Sequence, residues 1–426
     1  MVSLAMLAIM AGCAVFLYLK GTLAQGIVMI FNAMIAGFVA FGFFEIASTY
    51  LIKYSPGIAP WAPMASFLLL LILVFAVLQA VEMQINKEKI DLGPTPEQIG
   101  RPVSGLVLGY VATGYLLVAA AMAPLPSQYP YPRFGDRNPS PSSPKKPLLS
   151  PDGFITGLFG TVSKGSLSPI REPKSFAMLH AGYVDQLYLN RHKGKEVQLM
   201  TGSPAIDVPR KAGVWNAPES LRDAEGKPLS APAGTNLMLV RVTLKRNAFK
   251  NSSKFTLSQW CLVCGLKGGA GHPLAGKGQA AYPAGYIGSG GRFERKSLDE
   301  VTDLSKVQGD PITMDLGFHV PTNLVPVLLE FKRDNVVQVS APASPEDAPQ
   351  PVPFGAPPAT PEATPGSEPA EAQAAPPANA EPGAQQPAPP GTKSPKDSNK
   401  GKNRNKQGKG LSPVGQSLVG PQVPEN

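Results

Sequence analysis

The chain has 426 residues, a formal net charge of +9, 47 Pro, 43 Gly and only 3 Cys. Pro and Gly together make about 21% of it, against roughly 12% in ordinary usage, which excludes a single compact enzyme domain over the whole length and calls for linker or disordered segments. Three cysteines, one inside an apolar run and two spaced as Cys-x-x-Cys, exclude a disulfide-rich scaffold and a four-cysteine zinc site.

Residues 1–125 carry four apolar stretches, at 3–18, 27–44, 63–81 and 106–123. Each approaches the roughly 20 residues that a helix needs to cross about 30 Å of hydrocarbon, and a helix satisfies its own backbone polar groups there. Membrane lipid is therefore the first expected partner. Trp61, Tyr18, Tyr50 and Tyr54 sit at the ends of the runs, where amphipathic rings prefer the headgroup layer. The first run is read as a retained helix and not a signal peptide, because no Lys or Arg precedes its apolar core and apolar residues continue past Cys13. Lys20 lies between the first and second runs, Lys87, Lys89 and Arg101 between the third and fourth, and Lys53 alone between the second and third. By the positive-inside rule this places both termini and the C-terminal region outside the cytoplasm. No ionisable residue lies well inside a span, with Glu45 and Glu82 at edges, which argues against a coupled transporter. Asn32 is the conspicuous polar residue in mid-span and is read as an interhelical hydrogen-bonding group. Gly105 and Gly109 form a Gly-x-x-x-Gly pair that lets helix backbones approach, either within the bundle or between copies in a homo-oligomer.

The first helix ends in Lys20-Gly21, Gly26 opens the second, a charged loop follows the third, and Arg101-Pro102-Val103-Ser104-Gly105-Leu106-Val107-Leu108-Gly109 leads into the fourth. This order resembles the colicin V production (CvpA) family of four-helix bacterial inner-membrane proteins, over about the first 125 residues. The resemblance implies an inner-membrane location and a role in production or export of a secreted product of the colicin V or toxin type, or in envelope maintenance. The chain departs from the family in one respect: members tend to carry an acidic residue in the loop before the glycines of the fourth helix, and here Gln98-Ile99-Gly100-Arg101 stands closest, with Glu97 as a substitute. Some relatives append an exported serine protease to the four helices.

Residues 126–151 are Pro-rich without apolar periodicity and read as an extended spacer. In 152–193, Phe154, Ile155, Leu158, Phe159 and Val162 recur at helical spacing, as do Phe176, Leu179, Tyr183 and Leu187, giving two amphipathic helices. The first is expected to dock on the domain that follows.

Residues 194–340 turn strand-like, with clear runs at 236–244, 254–263, 312–320 and 325–339, and can bury a core of their own. The expected fold is an all-β sandwich, and its run of strands with Trp260 resembles immunoglobulin-like modules of envelope proteins. Ser289-Gly290-Gly291 echoes a protease nucleophile loop, yet Gly288 stands where that motif needs Asp, and His180, His192 and His272 lie in a segment too short for the double barrel. No catalytic, cofactor or metal residues are assigned, and the domain is read as a non-enzymatic binding module for an envelope protein or cell-wall polymer. Cys261 and Cys264 follow Trp260 in a strand-then-glycine context; a structural disulfide, free thiols, a redox pair and a metal site with His272 all stay open.

Residues 341–426 read as a disordered tail, an acidic Pro/Ala block and then seven basic residues between Lys393 and Lys409. Without aromatic residues for stacking, that run is a poor nucleic-acid binder. The expected whole is a four-helix membrane bundle, a β-sandwich and a tail, functioning either as a CvpA-like export component or as a non-catalytic anchor that presents the sandwich and tail.

Overall fold

In the computed structural model the described residues are 2–85, 93–164, 174–201, 203–249, 252–268 and 272–356. Four helices, α1 (Val2–Lys20), α2 (Leu23–Tyr54), α3 (Ala62–Ile85) and α4 (Pro94–Met122), are long and apolar enough to cross a membrane. Helix α2 starts at a capping box in which the Thr22 side chain accepts from Gln25 N and the Gln25 side chain accepts from Thr22 N. It has 32 residues, so it runs about 48 Å and carries Glu45, Ser48 and Thr49 beyond the stretch predicted from hydropathy. Lys87 and Lys89, used above for orientation, lie outside the described residues.

Helix α4 is the centre of the bundle, packed against α1 and α2, while α3 lies on α2. Its most apolar window is 67% buried, against 11% for α3, which exposes Leu69, Ile72, Leu73, Val77 and Val81 as an apolar surface. Gly105 and Gly109 make the closest approach: a Cβ on Gly105 would stand 2.5 Å from Ala14 Cα, and one on Gly109 2.6 Å from Met10 Cα. The Gly-x-x-x-Gly edge is thus occupied by α1 of the same chain. Asn32 donates to Gln79 Oε1 at 3.4 Å and Glu82 Oε2 at 3.3 Å, linking α2 to α3.

The segment at 126–151 contains no helix or strand before Pro151, the first residue of a helix, but it is not a free spacer. Tyr131 and Arg133 are buried, and Arg133 bonds Asp185 and lies 3.5 Å from Asp152. Helix α5 (Pro151–Ser163) docks on the bundle and not, as expected, on the β domain. Its Ile155 fills the space beside Gly114 of α4, and Phe159 stacks on Phe41 of α2 at 5.0 Å. The physical reason is its composition: with no Lys or Arg among its residues, its aromatic face is better buried against apolar helices. The second amphipathic stretch is broken into α6 (Phe176–Leu179) and α7 (Tyr183–Asn190) by Gly182 at φ 67°.

Among the described residues twelve strands follow: β1 (Ile206–Asp207), β2 (Val214–Asn216), β3 (Thr235–Leu244), β4 (Lys254–Thr256), β5 (Trp260–Leu266), β6 (Gln279–Ala281), β7 (Pro283–Ile287), β8 (Phe293–Arg295), β9 (Val301–Asp303), β10 (Ile312–Pro321), β11 (Leu324–Phe331) and β12 (Asn335–Gln338). They form antiparallel sheets ordered β1-β3-β10-β7-β8, with β2 also on β3, and β12-β11-β5-β6; β4 and β9 pair separately. The core lies between the two larger sheets, with Val240, Val242, Met314 and Leu316 facing Leu262, Leu329 and Phe331, and Trp260 stacked on Phe331 at 4.1 Å. Two predicted strands are interrupted. A capped turn at Leu257–Gln259 divides 254–263, and Lys332-Arg333-Asp334 turns 325–339 into the β11–β12 hairpin.

The expected tail is ordered over its first part. Residues 341–356 form a strap across the outer face of the larger sheet, where Ala343 N donates to Val214 O, Val352 N to Asp315 Oδ2 and Phe354 N to Ile287 O. Residues 357–426 lie outside the described residues. Arg241 and Asp315, directly opposite on β3 and β10, make a bidentate pair at 2.8 Å, and Arg241 also donates to Gln350 O and lies over the Trp215 ring. The strap was missed because Pro and Ala supply no periodicity; its one aromatic, Phe354, packs on Tyr286.

Two outcomes follow from this packing. Gly105→Leu forces a side chain into the α1 backbone, and thermal denaturation in detergent should show a lower melting temperature, whereas Gly12→Ala, which meets nothing within 4 Å, should leave it unchanged. Arg241→Ala strips Asp315, 0% exposed, of its partner and should cost about 3 kcal/mol while exposing residues 341–356 to protease. The exposed pair Lys227–Glu225 is the control, expected to contribute less than about 1 kcal/mol.

Candidate functional site

The densest set of buried polar groups lies where the bundle meets the β domain. Glu45 projects from α2, and its Oε1 is 3.0 Å from His180 Nε2 just after α6. Facing them on the β domain are Glu330 at the end of β11 and the hairpin turn Lys332-Arg333-Asp334. These groups surround a cavity of about 90 Å³ with Tyr183, Gln186, Cys261 and Tyr282 in its wall. A space of that size accommodates a few waters or a small polar group.

The end of α4 is tied into the same place. Arg191, 1% exposed, donates through Nη1 to Ala120 O at 3.2 Å and Ala123 O at 3.3 Å, and through Nη2 to Tyr129 O. Arg333 Nη1 donates to Met122 O at 2.5 Å. Two guanidinium groups from outside the bundle therefore satisfy carbonyls that the last turn of a helix leaves without partners, at the negative end of its dipole.

Burial shapes the titration of the cluster. It disfavours the charged form of His180, but the Glu45 carboxylate beside it outweighs that effect and holds the imidazole above its ordinary value. Glu330, 6% exposed, is pushed up to about 8 by burial, with Glu45 adding repulsion and His180 opposing it. Lys332, also buried, is brought down to about 8 by burial, partly offset by Asp334. Its ammonium stands 5.0 Å over the Phe249 ring and 5.2 Å over Phe331. Asp334 accepts from Thr201 N and Oγ1, and Asn335 donates to Thr201 Oγ1 and Asp334 Oδ1, which fixes the turn.

Cys261 and Cys264 are free thiols, both buried. The disulfide left open from the sequence does not form, because residues three apart on extended β5 are separated by about 10 Å and point to opposite faces. Cys264 faces the core between the sheets, whereas Cys261 faces Met178 and accepts from Gln186. Burial pushes the Cys264 thiol up to about 12 and raises Cys261 well above its ordinary range, opposite to a reactive thiolate. Among the described residues no group of three His, Cys, Asp or Glu side chains is placed to hold a metal ion. Ser289 and Gly290 form the tight β7–β8 turn closed by Gly288 N to Arg292 O, so that motif is turn chemistry.

Sequence reasoning did not assemble Glu45, His180, Glu330 and Arg333. By hydropathy Glu45 lies at a span edge, His180 has no sequence neighbour that marks it as part of a site, and the charged turn falls inside a predicted strand. Three consecutive charges, Lys332-Arg333-Asp334, in an apolar run were the signal available. Compared with protein-family models, curated proteins and solved structures, the chain matches none.

The titrations fix a sign for the pH dependence of this joint. His180, held above its ordinary 6.5, contributes stability that is complete below that value and is lost as pH rises through the folded value. Glu330 gives up its proton more readily unfolded, so the folded joint is penalised increasingly from 4.5 to about 8, by on the order of a few kcal/mol. Hydrogen exchange in α6 and α7 should therefore accelerate between about pH 5 and pH 8 beyond its intrinsic rise, and Glu330→Gln should flatten that profile.

Proposed function

We propose that this chain is a non-catalytic integral membrane anchor that holds an antiparallel β domain, a binding module of immunoglobulin-like type, in fixed orientation at the outer surface of a bacterial inner membrane. The observation that carries this reading is the capping of the α4 terminus by Arg191 and Arg333, reinforced by the Glu45–His180 bond. A module on a flexible tether needs no such bonds; a module that must present one face at a set height does. Of the perturbed groups at the joint, His180 is committed to linking two elements through Glu45, which favours positioning over turnover.

A second reading, production or export of a secreted product as in the CvpA family, is favoured by Glu97. Its Oε2 accepts from Leu23 N at the start of α2 and bonds Arg101 Nε, which puts a buried carboxylate just ahead of the α4 glycines, where the resemblance looks for one.

Fusing alkaline phosphatase or a cytoplasm-restricted fluorescent protein after Ala356 tests the orientation. The anchor reading expects phosphatase activity and no fluorescence; fluorescence without phosphatase activity removes the envelope assignment. Deleting everything after Pro124 separates the two readings: an anchor loses its whole effect in cells, whereas an export role of the bundle persists in part.

A further inference from the structure

A second cavity, about 570 Å³, opens beside the joint between α5, the loop into β6 and the segment before α5. That volume falls within the range of small-ligand sites. Its rim carries Lys146, Lys164 and Lys277, which come from three separate parts of the chain and are all exposed. None of the three makes an ion pair among the described residues. Arg133 forms part of the wall, and the one carboxylate there, Asp185, is already taken by Arg133 at 2.5 Å. Among the described residues the three cations therefore have no protein counter-charge, an arrangement that costs free energy unless an anion is present.

The surroundings identify the source of that anion. The α5 floor is open, since a Cβ on Gly157 would meet nothing within 4 Å. Alongside it, Phe154 of α5 remains 47% exposed, its ring 5.4 Å from that of Tyr110 of α4, as an apolar surface. Basic side chains bordering a groove next to exposed apolar helix faces match a molecule with a phosphate at one end and hydrocarbon at the other. We infer that the groove binds the headgroup phosphate of an anionic phospholipid, with Lys146, Lys164 and Lys277 as its counter-charges and the α4–α5 surface against its acyl chains. The lipid source rests on the membrane reading above, while the phosphate chemistry rests on the lysines alone.

The test uses the full chain in nanodiscs of phosphatidylcholine, with and without phosphatidylglycerol, and reads bound lipid by mass spectrometry and stability by thermal melting. Incorporation into either disc tests the anchor; dependence on the headgroup tests the groove. Phosphatidylglycerol should be retained and should raise the melting temperature, and the effect should vanish in about 1 M salt, where the Debye length falls to about 3 Å. The triple variant Lys146→Gln, Lys164→Gln, Lys277→Gln, changing only exposed side chains, should weaken retention about a hundredfold. Equal retention of both lipids, or no change in the triple variant, overturns the proposal. Stabilisation by millimolar inorganic phosphate without lipid retention overturns the lipid source.

Discussion

The last turn of α4 sets the terms for the rest of the molecule. A helix ends with four carbonyls that no residue of its own can satisfy, and this one ends where an apolar bundle gives way to a polar domain. The donors come from Arg191 after α7 and from Arg333 in the β11–β12 turn, chain positions well separated from each other and from α4. Because α7 and the hairpin must both reach the same helix end, the segment from α5 to α7 has to fold back along the bundle. The outer face of the β12-β11-β5-β6 sheet has to rest on α6 and α7, through Cys261, Val263 and Leu328 against Met178 and Ala181.

That geometry explains why ionisable groups collect at the joint. Arg333 brings Glu330 and Lys332 with it, and Glu45 at the upper part of α2 meets His180. Water is largely excluded, so each charge is held by a partner or shifted toward neutrality: His180 is paired, Glu330 is raised and Lys332 is lowered over aromatic rings. The joint is therefore firm where its bonds are charge-assisted and sensitive to proton activity where they are not.

The same logic recurs on the opposite face of the β domain. Arg241 and Asp315 lie in two otherwise apolar strands, and their polar edges recruit the strap through Gln350 O and Val352 N. In each case a buried polar pair on one element dictates where a distant, pattern-free segment must lie, since buried donors and acceptors are costly to leave unmade.

Local periodicity and length were enough to place the four long helices, the amphipathic stretches and the strands β3 and β10, because a residue's preference for lipid or for a pleated face is written in its near neighbours. Register, partners and breaks were not legible there. Whether Gly105 and Gly109 met another copy or α1, and whether α5 lay on the β domain or the bundle, depended on which surfaces came together. The joint is the extreme case: Glu45, His180, Glu330 and Arg333 carry no mutual signal along the chain, and only folding, by removing water from all of them at once, turns four ordinary residues into one site.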